Sequence, residues 1–62
     1  MTGREARAVL ARLPGHTSAT VRALMRQGKA LEAQRIVARQ TRDGALAEEI
    51  IGALVRAAVT GQ

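Results

Sequence analysis

The chain has 62 residues, which allows one small domain, and a chain of this length buries only about 60% of the surface that it exposes when unfolded. It contains no cysteine and no aromatic residue, so disulfides, thiolate metal sites and aromatic core packing are excluded. The net charge of +5 comes from the middle of the chain, and this favours contact with a polyanion or with an acidic protein surface.

The first predicted helix begins with a capping box. The Thr2 side chain caps the backbone, and Glu5, three residues later, reaches back to it. Apolar residues then recur on one side of the helix as far as about Leu13, and the pair at 14–15, proline and glycine, ends it. The apolar side consists of Ala6, Val9, Leu10 and Leu13.

The second and third helices are separated by a glycine. We expect the second to start from a cap at Thr17 or Ser18, to run to about Gln27, and to close at Gly28 in the left-handed conformation. The third helix is predicted over residues 30–41. The apolar sides of the two helices carry Val21, Leu24 and Met25, and then Ala33, Ile36, Val37 and Gln40.

The fourth helix is predicted over residues 45–59, with Asp43 as its cap. Its polar side is narrow, so the helix is apolar nearly all the way round and must be buried on several sides. It therefore forms either the centre of the domain or part of a dimer interface. Its larger apolar residues are Leu46, Ile50, Ile51, Leu54 and Val55.

These elements define the predicted class as all-α: a compact bundle of about four short helices in a single domain over residues 1–62. We expect a homodimer, or completion by a partner chain, because so small a core needs further stabilisation. No apolar run of about 20 residues and no secretory signal is present, which favours a cytoplasmic protein without a membrane partner. The excess of arginine over lysine indicates a GC-rich bacterial coding sequence, which by itself raises the arginine content.

Six basic residues on the second and third helices form the best candidate site, and we call them the arginine stripe. Arg35, Arg39 and Arg42 are spaced by three to four residues, which suits a phosphate backbone, and contacts to several phosphates give salt-dependent binding. A solvated helix face that keeps a small protein soluble is the alternative. The absence of aromatic residues disfavours single-stranded nucleic acid, whose bases stack on rings. The stripe consists of Arg22, Arg26, Lys29, Arg35, Arg39 and Arg42, with Leu31 on the same polar side.

A DNA-reading helix-turn-helix fits this segment poorly. With Gly28 as the turn glycine, Leu24 stands where a small residue is expected. Gln27 and Lys29 flank the glycine where an apolar residue is usual, and Gln34 occupies a position that packs inside. The spacing favours an ordinary antiparallel helical hairpin.

Residues 22–33, with the sequence RALMRQGKALEA, resemble a helical segment of the carboxy-terminal domain of the bacterial ribosomal stalk protein. Thr41, Gly44 and Leu46 fall roughly where that family carries its next turn. The resemblance covers less than half of the chain and implies a helical hairpin. The family binds translation factors through a following helix that begins with lysines. Residues 47–49 are alanine and two glutamates here, so the resemblance does not imply that function.

No group of residues predicts an enzyme. His16 has only Thr17 and Ser18 beside it and no carboxylate to orient it as a base. The acidic residues near the start of the fourth helix, which are Asp43, Glu48 and Glu49, complement the helix dipole. We therefore expect no catalysis, metal, cofactor or small-molecule substrate.

Two functions remain as hypotheses. The preferred one is a small regulatory protein that binds nucleic acid, with the arginine stripe on phosphates, which positions a protein without reading sequence. The alternative is a helical adaptor, chaperone or inhibitor whose charge is only solubilising. That protein would bind its partner through Leu46, Ile50, Ile51, Leu54 and Val55.

Overall fold

Four α-helices account for most of residues 1–61, which are the residues that the computed structural model describes. Helix α1 spans Gly3–Ala11, α2 spans Gly15–Arg26, α3 spans Ala30–Thr41 and α4 spans Gly44–Thr60. No strand occurs in this part of the chain, so the all-α class and the four-helix bundle are confirmed.

The start of α1 is the predicted capping box. The Thr2 amide donates to Oε1 of Glu5 over 2.9 Å, and the Glu5 amide donates to Oγ1 of Thr2 over 3.1 Å. The bond from the Thr2 amide, and after it a hydrogen bond between the Thr2 side chain and the carboxylate, favours the ionised form, so the pKa of Glu5 lies below its ordinary value. The helix ends at Ala11, two residues before the expected Leu13.

The predicted start of α2 is wrong. The helix begins at Gly15, directly after Pro14, and no side chain caps it. Proline suits this position because its fixed φ, here −51°, leads into the helix, and its carbonyl accepts from the Ser18 amide over 3.0 Å. Thr17 and Ser18 are therefore buried inside α2 rather than capping it. His16 lies exposed in the first turn of the helix and not in the loop before it.

Gly28 closes α2 as predicted, with a φ of +76° that residues other than glycine rarely adopt. The Lys29 amide donates to the Leu24 carbonyl over 2.8 Å, and the Gly28 amide donates to the Met25 carbonyl over 3.1 Å. These two bonds form a Schellman motif, which satisfies carbonyls that the end of a helix would otherwise leave unpaired.

The turn between α3 and α4 places Arg42, not Gly44, in the left-handed conformation, with a φ of 56°. Asp43 is the predicted cap, since its side chain accepts from the Leu46 amide over 3.0 Å. Gly44 is already the first residue of α4. The sequence does not predict a left-handed conformation for Arg42, because glycine is the residue expected at such a position.

The core lies between all four helices, with α4 packed against α3 and α1, and α3 packed against α2. Helices α1 and α2 contact each other little, and no Cα of α2 lies within 8 Å of a Cα of α4. Helix α4 contributes half of the buried apolar residues and packs against both α1 and α3. These core residues are Ala6, Leu10, Val21, Ala33, Val37, Ala47, Ile50, Ile51, Ala53 and Ala57.

Candidate binding surfaces

All six residues of the arginine stripe are exposed to solvent. None of them forms an ion pair with an acidic residue within the described chain. The acidic residue Glu49 forms an ion pair with the amino terminus rather than with the stripe, and its Oε1 lies 3.9 Å from the Met1 nitrogen. The positive charge of the middle of the chain is therefore left to external anions.

The structure divides the arginine stripe into two groups. Oγ1 of Thr17 on α2 donates to Oε1 of Gln40 on α3 over 3.3 Å, which identifies the side of α2 that faces α3. At about 100° per residue, Arg22 lies about 140° and Arg26 about 180° around α2 from Thr17. These two arginines consequently point away from α3, and they do not extend its basic surface across the turn at Gly28.

The other group belongs to α3, and we call it the α3 basic face: Lys29, Arg35, Arg39 and Arg42. Lys29 and Arg42 occupy the two ends of the helix. Arg35 lies about 160° around α3 from the buried Ala33 and thus on the outer side, with Arg39 one turn further along. Arg35 and Arg39 share the outer side of α3 with Glu32, while Lys29 and Arg42 flank the helix, whose 12 residues span about 18 Å.

Arg22 and Arg26 line a groove of about 400 Å³ between α1, α2 and α4. Its apolar wall consists of Leu10 from α1, Met25 from α2, and Leu54 and Ala58 from α4. Arg7 of α1 joins the two arginines at the rim. The groove exists because α1 and α2 contact each other little and α2 stays apart from α4.

The sequence indicates that Arg22 and Arg26 stand one turn apart, but it contains no signal for the groove. Arg7 borders the groove only because α1 packs against α4, and Leu10 and Leu54 look like ordinary core positions. These residues come together through tertiary packing alone.

The predicted partner interface on α4 is largely enclosed by the chain itself. Ile50 and Ile51 are buried in the core, with Ile51 only 3% exposed. Leu46 and Leu54 are half-buried, and Val55 is 40% exposed. The centre of that interface is thus already covered in a single chain. The larger exposed apolar side chains nearby are Leu31 at 72% and Val59 at 81%.

The residues considered in the sequence analysis as catalytic or metal-binding candidates either stabilise the fold or are exposed to solvent. Asp43 caps α4, Glu49 contacts the amino terminus, and Glu48 and His16 are exposed. Residues 1–61 contain no group of three or more histidine, cysteine or acidic residues with the geometry to hold a metal ion. No helix of the described chain has the length and apolar character needed to cross a membrane.

Comparison with protein-family models, with curated proteins and with solved structures found no match for this chain. The likeness of residues 22–33 to the ribosomal stalk domain remains a prediction. The α3 basic face and the groove are therefore the features from which a function can be inferred.

Proposed function

We propose that this protein is a non-catalytic helical module that binds nucleic acid through the α3 basic face. The observation that carries the proposal is that Lys29, Arg35, Arg39 and Arg42, on α3 and at its two ends, are exposed and without acidic partners among the described residues. The helix holds Arg35 and Arg39 one turn apart on its outer side, and an arginine guanidinium contacts phosphate with two parallel hydrogen bonds.

The chemistry of this surface favours duplexes. Double-stranded DNA presents one negative charge per about 1.7 Å of its axis, so a helix of about 18 Å lies beside several phosphates at once. Single strands gain much of their affinity from bases stacked on aromatic rings, and the chain has none. Contacts to phosphate position a protein without specifying sequence, so we assign a nucleic-acid-associated regulatory role rather than recognition of a particular site.

A titration at two salt concentrations tests the proposal. Dye-labelled duplex DNA, single-stranded DNA and RNA of equal length are each titrated at about 50 and about 200 mM salt. Four phosphate contacts predict that duplex affinity falls by about a hundredfold between these concentrations. Absence of binding at the lower salt concentration contradicts the proposal.

A pair of variants locates the surface. Arg35→Gln with Arg39→Gln removes two cations from the α3 basic face, and we expect the salt-dependence slope to fall by about two. Arg22→Gln with Arg26→Gln removes the same charge from α2 and is the matched control, whose slope should stay near that of the parent protein. If both pairs weaken binding equally, net charge alone is responsible, and the α3 basic face is the wrong assignment.

We propose self-association through α4 as a second function, with a second copy of this chain as the partner. Its support is the exposure of Leu31, Val55 and Val59, since α3 and α4 form an antiparallel hairpin whose open end carries these side chains. Sedimentation equilibrium distinguishes monomer from dimer. Val55→Asp with Val59→Asp should dissociate the dimer, and a parent protein that is monomeric at millimolar concentration rules it out.

A further inference from the structure

We infer that the groove between α1, α2 and α4 binds an acidic amphipathic helix of a partner protein. This site is distinct from the α3 basic face, and the inference stands independently of nucleic-acid binding. Its basis is the combination, in one open groove, of an apolar wall and an arginine rim.

The wall of the groove suits apolar side chains spaced by one helical turn. Leu54 and Ala58 are four residues apart on α4 and present a continuous apolar strip, while Met25 faces them from α2. Methionine is unbranched and adapts to the shape of what it contacts, which makes it common at surfaces that receive helices. Amphipathic helices bind such grooves through anchors at positions i, i+3, i+4 and i+7.

The positive charge of the arginine rim favours a bound helix that is negatively charged. Arg22 and Arg26 are one turn apart along one edge of the groove, and neither has an acidic partner within residues 1–61. Arg7 stands on the α1 side, so cations border the groove from two helices. Glutamates beside the anchors of a bound helix would meet the guanidinium groups of Arg22 and Arg26, with the two-bond geometry that arginine forms with carboxylates.

A second copy of the chain suits this groove poorly. On the exposed side of its α4, Glu48 and Glu49 lie with Val55 and Val59 but also with Arg56, and each copy carries a net charge of +5 that the arginine rim repels. Glu32 on α3 is surrounded by the α3 basic face, which the arginine rim repels. Charge complementarity therefore points to a different, acidic protein.

A nucleic acid fits this groove less well than it fits α3. Phosphates keep their contact with water, and the wall between the arginines is apolar over most of its area. Burying that wall requires an apolar partner surface, which a helix with leucines on one side supplies.

The two methionines provide a direct test, because Met25 lines the groove and Met1 lies on the other side of α4, beside Ala53 and Ala57. The protein is labelled with ¹³C at the methionine methyl groups. It is titrated with a synthetic helix of about 14 residues that carries leucines at every third or fourth position and glutamates beside them. We expect the Met25 signal to shift with saturation and the Met1 signal to stay in place.

Two control peptides separate the contributions of charge and apolar contact. One replaces the glutamates with lysine and the other replaces the leucines with alanine, and we expect neither to shift the Met25 signal. Equal binding of the lysine peptide overturns the inference. So does a Met25 signal that responds to duplex DNA but not to the acidic peptide, which places nucleic acid in the groove.

Variants of the protein complete the test. Arg22→Gln with Arg26→Gln should weaken the acidic peptide by about tenfold, since both edge charges are lost. Arg35→Gln with Arg39→Gln removes the same net charge from α3 and should leave peptide affinity within about twofold. Circular dichroism checks that both variants keep their helices. If the folded Arg22→Gln, Arg26→Gln variant binds the acidic peptide as tightly as the parent protein does, these arginines do not form the binding rim. Loss of DNA binding in the second pair with normal peptide binding separates the two proposals.

Discussion

Thr17 on α2 and Gln40 on α3 share a hydrogen bond of 3.3 Å between their side chains, across a gap of 23 residues in sequence. Thr17 is only 4% exposed, whereas Gln40 is exposed, so the bond lies where the two helices meet at the edge of the core. It marks the side of α2 that faces α3. Arg22 and Arg26 lie on the opposite side of α2, where they border the groove beside α1.

Loss of this bond should lower stability modestly. Thr17→Val keeps the volume and the branched shape of the buried side chain but removes the donor, while the exposed Gln40 oxygen turns to water. We expect a decrease of about 0.5–1 kcal/mol in the free energy of unfolding. Urea unfolding followed by circular dichroism measures it. Thr20→Val is the matched control, because the exposed Thr20 hydroxyl bonds only within its own helix, to the His16 carbonyl. An equal loss in both variants shows that the interhelical bond contributes nothing.

Ile51 and Val55, which are one turn apart on α4, should respond differently to substitution by aspartate. Ile51 is 3% exposed, so Ile51→Asp places a charge in the core, and a chain of this size has no reserve of stability to tolerate it. Val55 is 40% exposed, and Val55→Asp leaves that charge in solvent. We expect loss of helical circular dichroism for the first and a folded chain for the second. A folded monomeric Ile51→Asp variant contradicts the burial of this position and restores Ile51 to a partner interface.

Local signals explain why much of the fold follows from the sequence. The capping box at Thr2, the left-handed Gly28 and the cap at Asp43 each depend on residues within one turn, and all three were predicted. The predicted start of α2 is wrong because threonine is a common capping residue, whereas Thr17 is buried against α3 and its hydroxyl donates to Gln40. The groove and the division of the arginine stripe depend on how helices rotate against one another, which no local pattern specifies.

Arg42 holds a left-handed conformation that costs a non-glycine residue about 1–2 kcal/mol. Arg42→Gly relieves that strain but adds freedom to the unfolded chain, and we expect a net gain of about 0.5–1 kcal/mol in the free energy of unfolding. Gly28→Ala is the opposite case, since alanine at a φ of +76° is strained although open space surrounds the position, and it should lower stability by about 1 kcal/mol. Thermal unfolding of both variants gives the comparison. A lower melting temperature for Arg42→Gly indicates that its side chain stabilises the turn.

The capping box at the start of α1 should make stability depend on pH in the acid range. Hydrogen bonds with Thr2 lower the pKa of Glu5 in the folded protein from its ordinary value of 4.5. Because the folded pKa is the lower one, the unfolded chain binds a proton first, so this contribution is complete above the unfolded pKa and is lost as the pH falls through the folded pKa. Glu5→Gln keeps an oxygen that accepts from the Thr2 amide but cannot titrate. We expect the melting temperature of the parent protein to fall more than that of the variant below pH 4.5. The other carboxylates are common to both proteins and serve as the control. If the two curves of melting temperature against pH stay parallel at acid pH, the capping box does not couple folding to protonation.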